Sequence, residues 1–160
     1  MDTFSAGEDL GRWPHGKGFE HVVLRAFEIE GARVTWPYEV RIGGDTIEQI
    51  DGAIYHNGHA LLIEAKHYRD PANIEPITKL RAQLARRPPA TIGMVFSFNG
   101  FTEPAKILAR HLNPQQILLW EGAELRLAIE KNRVVSGLEA KLRYAVEQGF
   151  PDYSLSLEAW

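Results

Sequence analysis

Residues 46–67 read TIEQIDGAIYHNGHALLIEAKH, and the fold turns on how this stretch pairs with itself. Asn57-Gly58 separates two runs of strand character, 46–56 and 59–67. An Asn-Gly pair between such runs is the strongest short hairpin signal. A two-residue loop sets the register, so His56 lies opposite His59, Ala53 opposite Leu62 and Asp51 opposite Glu64. Opposed residues of an antiparallel pair point to the same side, with Cβ atoms about 4.5–5.5 Å apart. Lys66 lies two residues beyond Glu64 and shares that side. The other side carries Ile50, Ile54, Leu61, Ile63 and Ala65, a face for burial. The register therefore predicts two carboxylates and an ammonium group together at the open end of one hairpin.

Around the hairpin, the spacing predicts alternating helices and strands. Residues 17–30 repeat at helical spacing, with Phe19, Val22, Val23, Ala26 and Phe27 on one face and His21, Arg25 and Glu28 on the other. Glu20 falls between Phe27 and Leu24, at the rim of the buried face, and Gly31 ends the helix. Residues 33–41 read as a strand in which Pro37 marks an edge or a bulge, and Gly43-Gly44-Asp45 as a turn. Helix is expected over 74–87, stopped by Pro88-Pro89, and a buried strand over 91–98. Thr102 caps a helix running to about His111, with Asn113-Pro114 as its stop. A short strand at 116–120 precedes helices at about 122–131 and 137–148, the last opened by a Ser136/Glu139 capping box. Residues 1–16 form an irregular arm, and 150–160 an apolar tail suited to docking on the body or on a partner. Neither an internal repeat nor a linker is evident, so residues 1–160 read as a single α/β domain.

The composition narrows the chemistry. The chain has 160 residues, 44% of them hydrophobic, and no cysteine. That length supports a real core, while the missing cysteines exclude disulfides, thiolate nucleophiles and cysteine-held zinc or iron–sulfur sites. No apolar run approaches the roughly 20 residues of a membrane span. Met1 to Trp13 lacks the basic-then-apolar layout of a signal peptide, so a cytoplasmic protein is expected. A net charge of −3 and a pI near 6.1 argue against holding nucleic acid through bulk positive charge.

Two carboxylates about 5 Å apart at an effective dielectric near 20 repel by roughly 3 kcal/mol. Lys66 offsets part of that repulsion, and a divalent cation would offset more. Oxygen ligands suit a hard ion such as Mg²⁺. Taken alone, Glu64-Ala65-Lys66 reads as a solvated strand end with an ordinary Glu–Lys pair; the opposed Asp51 turns the reading toward a cation site.

With these residues in view, the sequence resembles the PD-(D/E)XK nuclease superfamily. Its hallmark is an acidic residue on one strand, here Ile50-Asp51, and (D/E)-x-K on the next, here Glu64-Ala65-Lys66. Within that superfamily it looks most like the catalytic domain of Mrr-type restriction endonucleases, from about Gly18 to Ala128. The ordered blocks are Phe19-Glu20, Ile50-Asp51-Gly52, Leu62 to Tyr68, Gly93 to Ser97 leading into Gly100-Phe101-Thr102, Ala105, Leu118 to Gly122, and Leu125. Glu64 stands where many Mrr-type domains carry Gln, and Ile50 replaces the Pro that names the motif. Glu48-Gln49-Ile50-Asp51 also looks like a block of the related nuclease-related domain. The chain has no room for the separate DNA-binding domain of an Mrr enzyme.

The resemblance implies a restriction-endonuclease-like three-layer α/β/α sandwich with a mixed central sheet, and a metal-dependent DNA endonuclease of restriction, defence or repair. It implies that Asp51, Glu64 and the Ala65 backbone carbonyl hold Mg²⁺ or Mn²⁺, and that Glu20 completes the site directly or through a bound water. Lys66 would orient or deprotonate the attacking water and stabilise developing negative charge. The alternative reading of Glu20 is a helix carboxylate reaching solvent. Gln49, facing Lys66 in the same register, is a candidate for contact with the lysine or substrate. Arg69, Lys79, Arg81, Arg86 and Arg87 form a local basic cluster suited to phosphates or, equally, a solvated helix face. Ser97, Asn99 and Thr102 lie where a helix N-terminus would receive a phosphate, although capping explains Thr102 as well. His56 and His59 read as a polar turn and His67 as a packed histidine. DNA is the expected partner, with a homodimer or a larger nuclease complex as the expected assembly and no membrane. A Holliday-junction-resolvase-like enzyme and a non-catalytic DNA-binding or assembly module remain alternatives.

Overall fold

The computed structural model describes residues 16–158; the expected arm, apart from Gly16, and the last two residues of the tail lie outside them. In chain order the elements are α1 (Lys17–Ile29), β1 (Arg33–Thr35), β2 (Tyr38–Ile42), β3 (Asp45–Ile50), β4 (Gly52–His56), β5 (His59–Lys66), α2 (Glu75–Leu84), β6 (Ile92–Ser97), α3 (Glu103–Arg110), β7 (Ile117–Glu121), α4 (Gly122–Glu130) and α5 (Val134–Gln148). Asn57 and Gly58 both take positive φ, 48° and 79°, as the tight hairpin turn requires. The β4–β5 ladder has the expected register, from His56 opposite His59 to Gly52 opposite Ile63.

The central sheet has five strands in the order β1-β4-β5-β6-β7. β1, β4 and β5 run antiparallel, while β5, β6 and β7 run parallel through the connections that contain α2 and α3. One face packs Ile54, Leu61, Ile63, Met94, Phe96 and Trp120 against α1, α4 and α5. The other packs Leu62, Val95 and Leu119 against Ile77, Leu80 and Leu84 of α2 and Ala105 and Ala109 of α3. Both faces are covered, so β5 to β7 are almost continuously buried and apolar, as parallel strands in three layers must be. This is the expected α/β/α sandwich with a mixed sheet.

Three expectations need correction. The run 46–56 is not one strand: the chain bends at Asp51, β3 leaves the sheet, and β3 pairs with β2 in a separate two-stranded sheet. Ile50 consequently packs with Ala53 and Leu62, on the face opposite Ile54. The strand expected over 33–41 likewise splits at Trp36-Pro37 into the edge strand β1 and the outlying β2. Finally, α5 starts before Ser136 and is not opened by the Ser136/Glu139 box. Its first amides, of Val134 and Val135, donate to the Glu30 carboxylate at the end of α1 (2.8 and 3.3 Å). A capping box does exist one helix earlier, between Glu121 and Glu124.

The tail docks on the body. The Leu119 amide donates to the Pro151 carbonyl, and Leu155 is buried beside Gly137 and Trp120. Beneath it lies a charged pair: Lys141 is fully buried, donating to Glu124 at 2.9 Å and to the Tyr153 carbonyl at 2.6 Å. Burial lowers the Lys141 pKa against the pull of Glu124. The same Glu124 carboxylate accepts the amides of Glu121 and Leu155, both at 2.7 Å.

Candidate active site

Asp51 occupies the point where β3 and β4 part. The β4–β5 ladder ends at Gly52–Ile63, one step short of the Asp51–Glu64 pairing expected. The Asp51 side chain takes over where the backbone leaves: Oδ2 accepts the Ala65 amide at 2.9 Å. A strand residue sends its N–H and C=O to the same side, so the Ala65 carbonyl also faces the gap that β3 vacates. Burial, and then the Glu64 charge, push the Asp51 carboxyl up to about 6; the Ala65 amide pulls it back, Glu20 raises it and Lys66 lowers it. Asp51 thus feels Glu20, Glu64 and Lys66 together, which is the gathering expected from the sequence.

Glu64 sits on the face under α2 with no exposed surface. Lys66 approaches its Oε1 at 2.7 Å and Lys79 of α2 approaches both oxygens at 3.1 Å. Burial alone would lower the Lys66 pKa, but contact with Glu64, aided by Tyr68 and Asp51, outweighs it and holds the ammonium above its ordinary value. Lys66 is therefore protonated at neutral pH in this state. Its Nζ lies 5.9 Å from the Tyr68 ring.

Glu20 comes from α1 on the other side of the sheet. The buried stripe is Phe19, Glu20, Val23, Leu24 and Phe27, so Glu20 is within the packed face, and Val22 and Ala26 are only partly buried. Its carboxylate pairs with Lys17 at 3.0 Å. Gly52 makes this approach possible, since a Cβ there would meet the Leu24 side chain at 2.6 Å.

The remaining candidates divide. Gln49 does not face Lys66: with β3 out of the sheet it pairs with Glu39 of β2, and its carbonyl accepts Gln83 Nε2 at 3.2 Å. Arg86 and Arg87 are committed to Glu48, at 3.2 and 2.7 Å, which ties α2 to β3. Arg69 and Arg81 are exposed. The Thr102 hydroxyl caps α3 by accepting the Ala105 amide at 3.3 Å. Asn99 donates to the Tyr68 carbonyl, while the Ser97 hydroxyl, beside Lys66 in the β5–β6 register, is buried without a hydrogen-bond partner. His67 packs against Phe19 and Phe98, as a histidine on the apolar side should. The grip of Lys79 on Glu64 has no counterpart in sequence spacing. Gln83 shows a weak signal, one helical turn beyond Lys79 on the same face of α2.

Among the described residues, no three His, Asp or Glu side chains converge tightly enough to hold a metal ion by themselves. What the gap offers is an oxygen-only set: Asp51, Glu64 and the Ala65 carbonyl. Two carboxylates in a buried place, one already driven toward protonation by burial and then by the other's charge, suit a hard divalent cation.

A mixed sheet sandwiched by helices, with an acidic residue where two strands part and Glu-x-Lys on the neighbouring strand, defines a restriction-endonuclease-like domain. Residues 14–129 match the family model of the Mrr catalytic domain, described as restriction endonuclease, and the chain belongs to that family. No curated protein matches it. Among solved structures it is similar to AF1548, a protein of unknown function, with 22% identity and a TM-score of 0.56 over 81% of this chain and 76% of that one. It is also similar to the MspJI restriction endonuclease, solved with a 27-mer oligonucleotide (20% identity, TM-score 0.47, 90% of this chain, 34% of that one). A repair endonuclease from Pyrococcus abyssi is a third (16% identity, TM-score 0.46, 76% of this chain, 50% of that one). The chain thus spans a third to a half of these two enzymes, and at such identities the likeness is one of fold.

Proposed function

We propose that this domain is a divalent-cation-dependent DNA endonuclease that hydrolyses phosphodiester bonds at the gap between β3 and β5. The observation that carries this reading is the meeting of Asp51, Glu64 and Lys66 where β3 leaves the sheet, within a restriction-endonuclease family domain. Asp51, Glu64 and the Ala65 carbonyl would hold Mg²⁺ or Mn²⁺. Such an ion supplies charge neutralisation at the phosphate and acidifies water.

The chain's own residues do the rest. Asp51 is oriented by the Ala65 amide, which binds Oδ2 and would leave Oδ1 to the cation. Lys66, protonated and anchored on Glu64, offers N–H donors and a positive charge in a partly buried position. There it orients the attacking water and stabilises the negative charge that builds up at phosphorus. Glu20 enters from α1 and acts through a water that it orients. Arg69 and Arg81, both exposed, would contact phosphates outside the gap, which suits a chain that lacks bulk positive charge. Because an Mrr-type site cuts one strand, cleavage of a duplex calls for two copies of the chain or a partner subunit.

The test is incubation of plasmid, linear and branched DNA with Mg²⁺, Mn²⁺ or EDTA, beside Lys66→Ala. The expected result is cation-dependent cleavage by the wild type and a loss of about 10³-fold or more in the variant. Wild type and variant leaving every substrate equally intact would rule out catalysis and favour a DNA-binding module; cleavage confined to branched DNA would make it a junction resolvase.

A further inference from the structure

Glu64 carries more positive charge than a nuclease carboxylate needs. Lys66 is fixed to it by the chain, two residues along the same strand, and lies 2.7 Å from Oε1. Lys79 is not so constrained. It projects from α2, its side chain is 45% exposed, and its ammonium lies 3.1 Å from both carboxylate oxygens. That is the bridging position a cation would take on the one fully buried carboxylate of the site. Two cations cannot share it, and of the two lysines Lys79 is the more exposed, 45% against 25%, and the freer to swing into solvent.

We infer that Lys79 is the resident counter-ion of Glu64, that a divalent cation entering the gap displaces it, and that the released ammonium then contacts substrate phosphate. The inference rests on the cation-dependent reading above and adds a coupling between metal and DNA. Without metal, Lys79 neutralises Glu64 and is withheld from DNA. With metal, the same side chain is delivered at the mouth of the gap. Each ligand thereby favours the other, as linkage requires.

The coupling is read without catalysis. Mn²⁺ binding, measured from the spin-resonance signal of the free ion, is compared for the wild type, Lys79→Met and Lys79→Gln, with Arg81→Met as a control for charge on the same helix. Both Lys79 variants should bind Mn²⁺ about three- to ten-fold tighter than the wild type, and Arg81→Met less than about two-fold tighter. DNA binding by fluorescence anisotropy is then measured in EDTA and in Ca²⁺. Wild type and Lys79→Met should agree within about two-fold in EDTA, and the wild type should bind about five-fold tighter in Ca²⁺. Unchanged or weaker Mn²⁺ binding by both Lys79 variants would overturn the inference while leaving the endonuclease reading intact. An equal loss of DNA affinity with and without Ca²⁺ would overturn it too, by showing that Lys79 reaches phosphate regardless of metal. Absence of Mn²⁺ binding by every form would remove the metal reading itself, and this inference with it.

Discussion

A carboxyl group buried beside another carboxylate holds its proton longer, and Asp51 is such a group, pushed from an ordinary 3.8 to about 6. Between those two values the folded chain binds more proton than the unfolded chain at this site. Stability from this group is therefore full at low pH and is lost as pH rises through about 6. Asp51→Asn should keep the bond to the Ala65 amide and remove the penalty. Cation-free melts across pH 4–8 should show the variant gaining on the order of 2 kcal/mol over the wild type at pH 8 and little at pH 4. Added Mn²⁺ should raise the wild-type melting temperature and leave the variant's unmoved. Much was readable residue by residue: a two-residue turn put Asp51, Glu64 and Lys66 at one end, and a helical wheel put Glu20 at the rim of the buried face, into which packing draws it. The bend at Asp51 was not, because apolar alternation reads the same whether or not the strand continues. Ile50 gives the case in point, landing opposite Ile54 although its spacing places the two together.

Among the elements, β3 is held beside the gap by α2. Gln83 donates to the Gln49 carbonyl, and Arg86 and Arg87 grip the largely buried Glu48. Contact with Glu48 raises the Arg87 pKa despite some burial. Glu48→Ala should speed amide exchange across β2 and β3 while leaving β5 to β7 protected, as hydrogen-exchange mass spectrometry would show. Gly52 serves α1 in a different way. Gly52→Ala would drive a methyl into Leu24, cost about 1–3 kcal/mol in denaturant unfolding and lift Glu20 from the site. The start of α5 distinguishes two caps: Glu30→Ala should cost about 1–2 kcal/mol and Ser136→Ala next to nothing in the same measurement. The local pattern Ser-x-x-Glu suggested the wrong cap because Glu30 is distant in sequence, and local spacing carries no record of a carboxylate arriving from another helix.

The whole molecule places its charges where a net value conceals them. Of the acidic groups behind the net charge of −3, Glu20, Asp51 and Glu64 face the candidate site, and Glu124 lies under the tail with Lys141. Glu124→Ala would strand a buried ammonium and release the Glu121 and Leu155 amides. It should cost about 3–5 kcal/mol and loosen the tail from Trp120, measured by unfolding and tryptophan emission. This pair escaped the sequence because Lys141 sits in a helix of ordinary charged pattern, and only packing reveals its complete burial. The α/β class was readable in the alternation of helices and strands and in the buried strand expected over 91–98, whereas the three-layer sandwich followed from the family resemblance. Anomalous diffraction from a crystal soaked in Mn²⁺ would locate the cation proposed between Asp51 and Glu64. The expected map has one strong peak about 2.1–2.3 Å from oxygens of Asp51, Glu64 and the Ala65 carbonyl, with Lys79 moved off Glu64. A Mn²⁺-loaded crystal with no peak in that gap, and Lys79 still bridging both Glu64 oxygens, would contradict it.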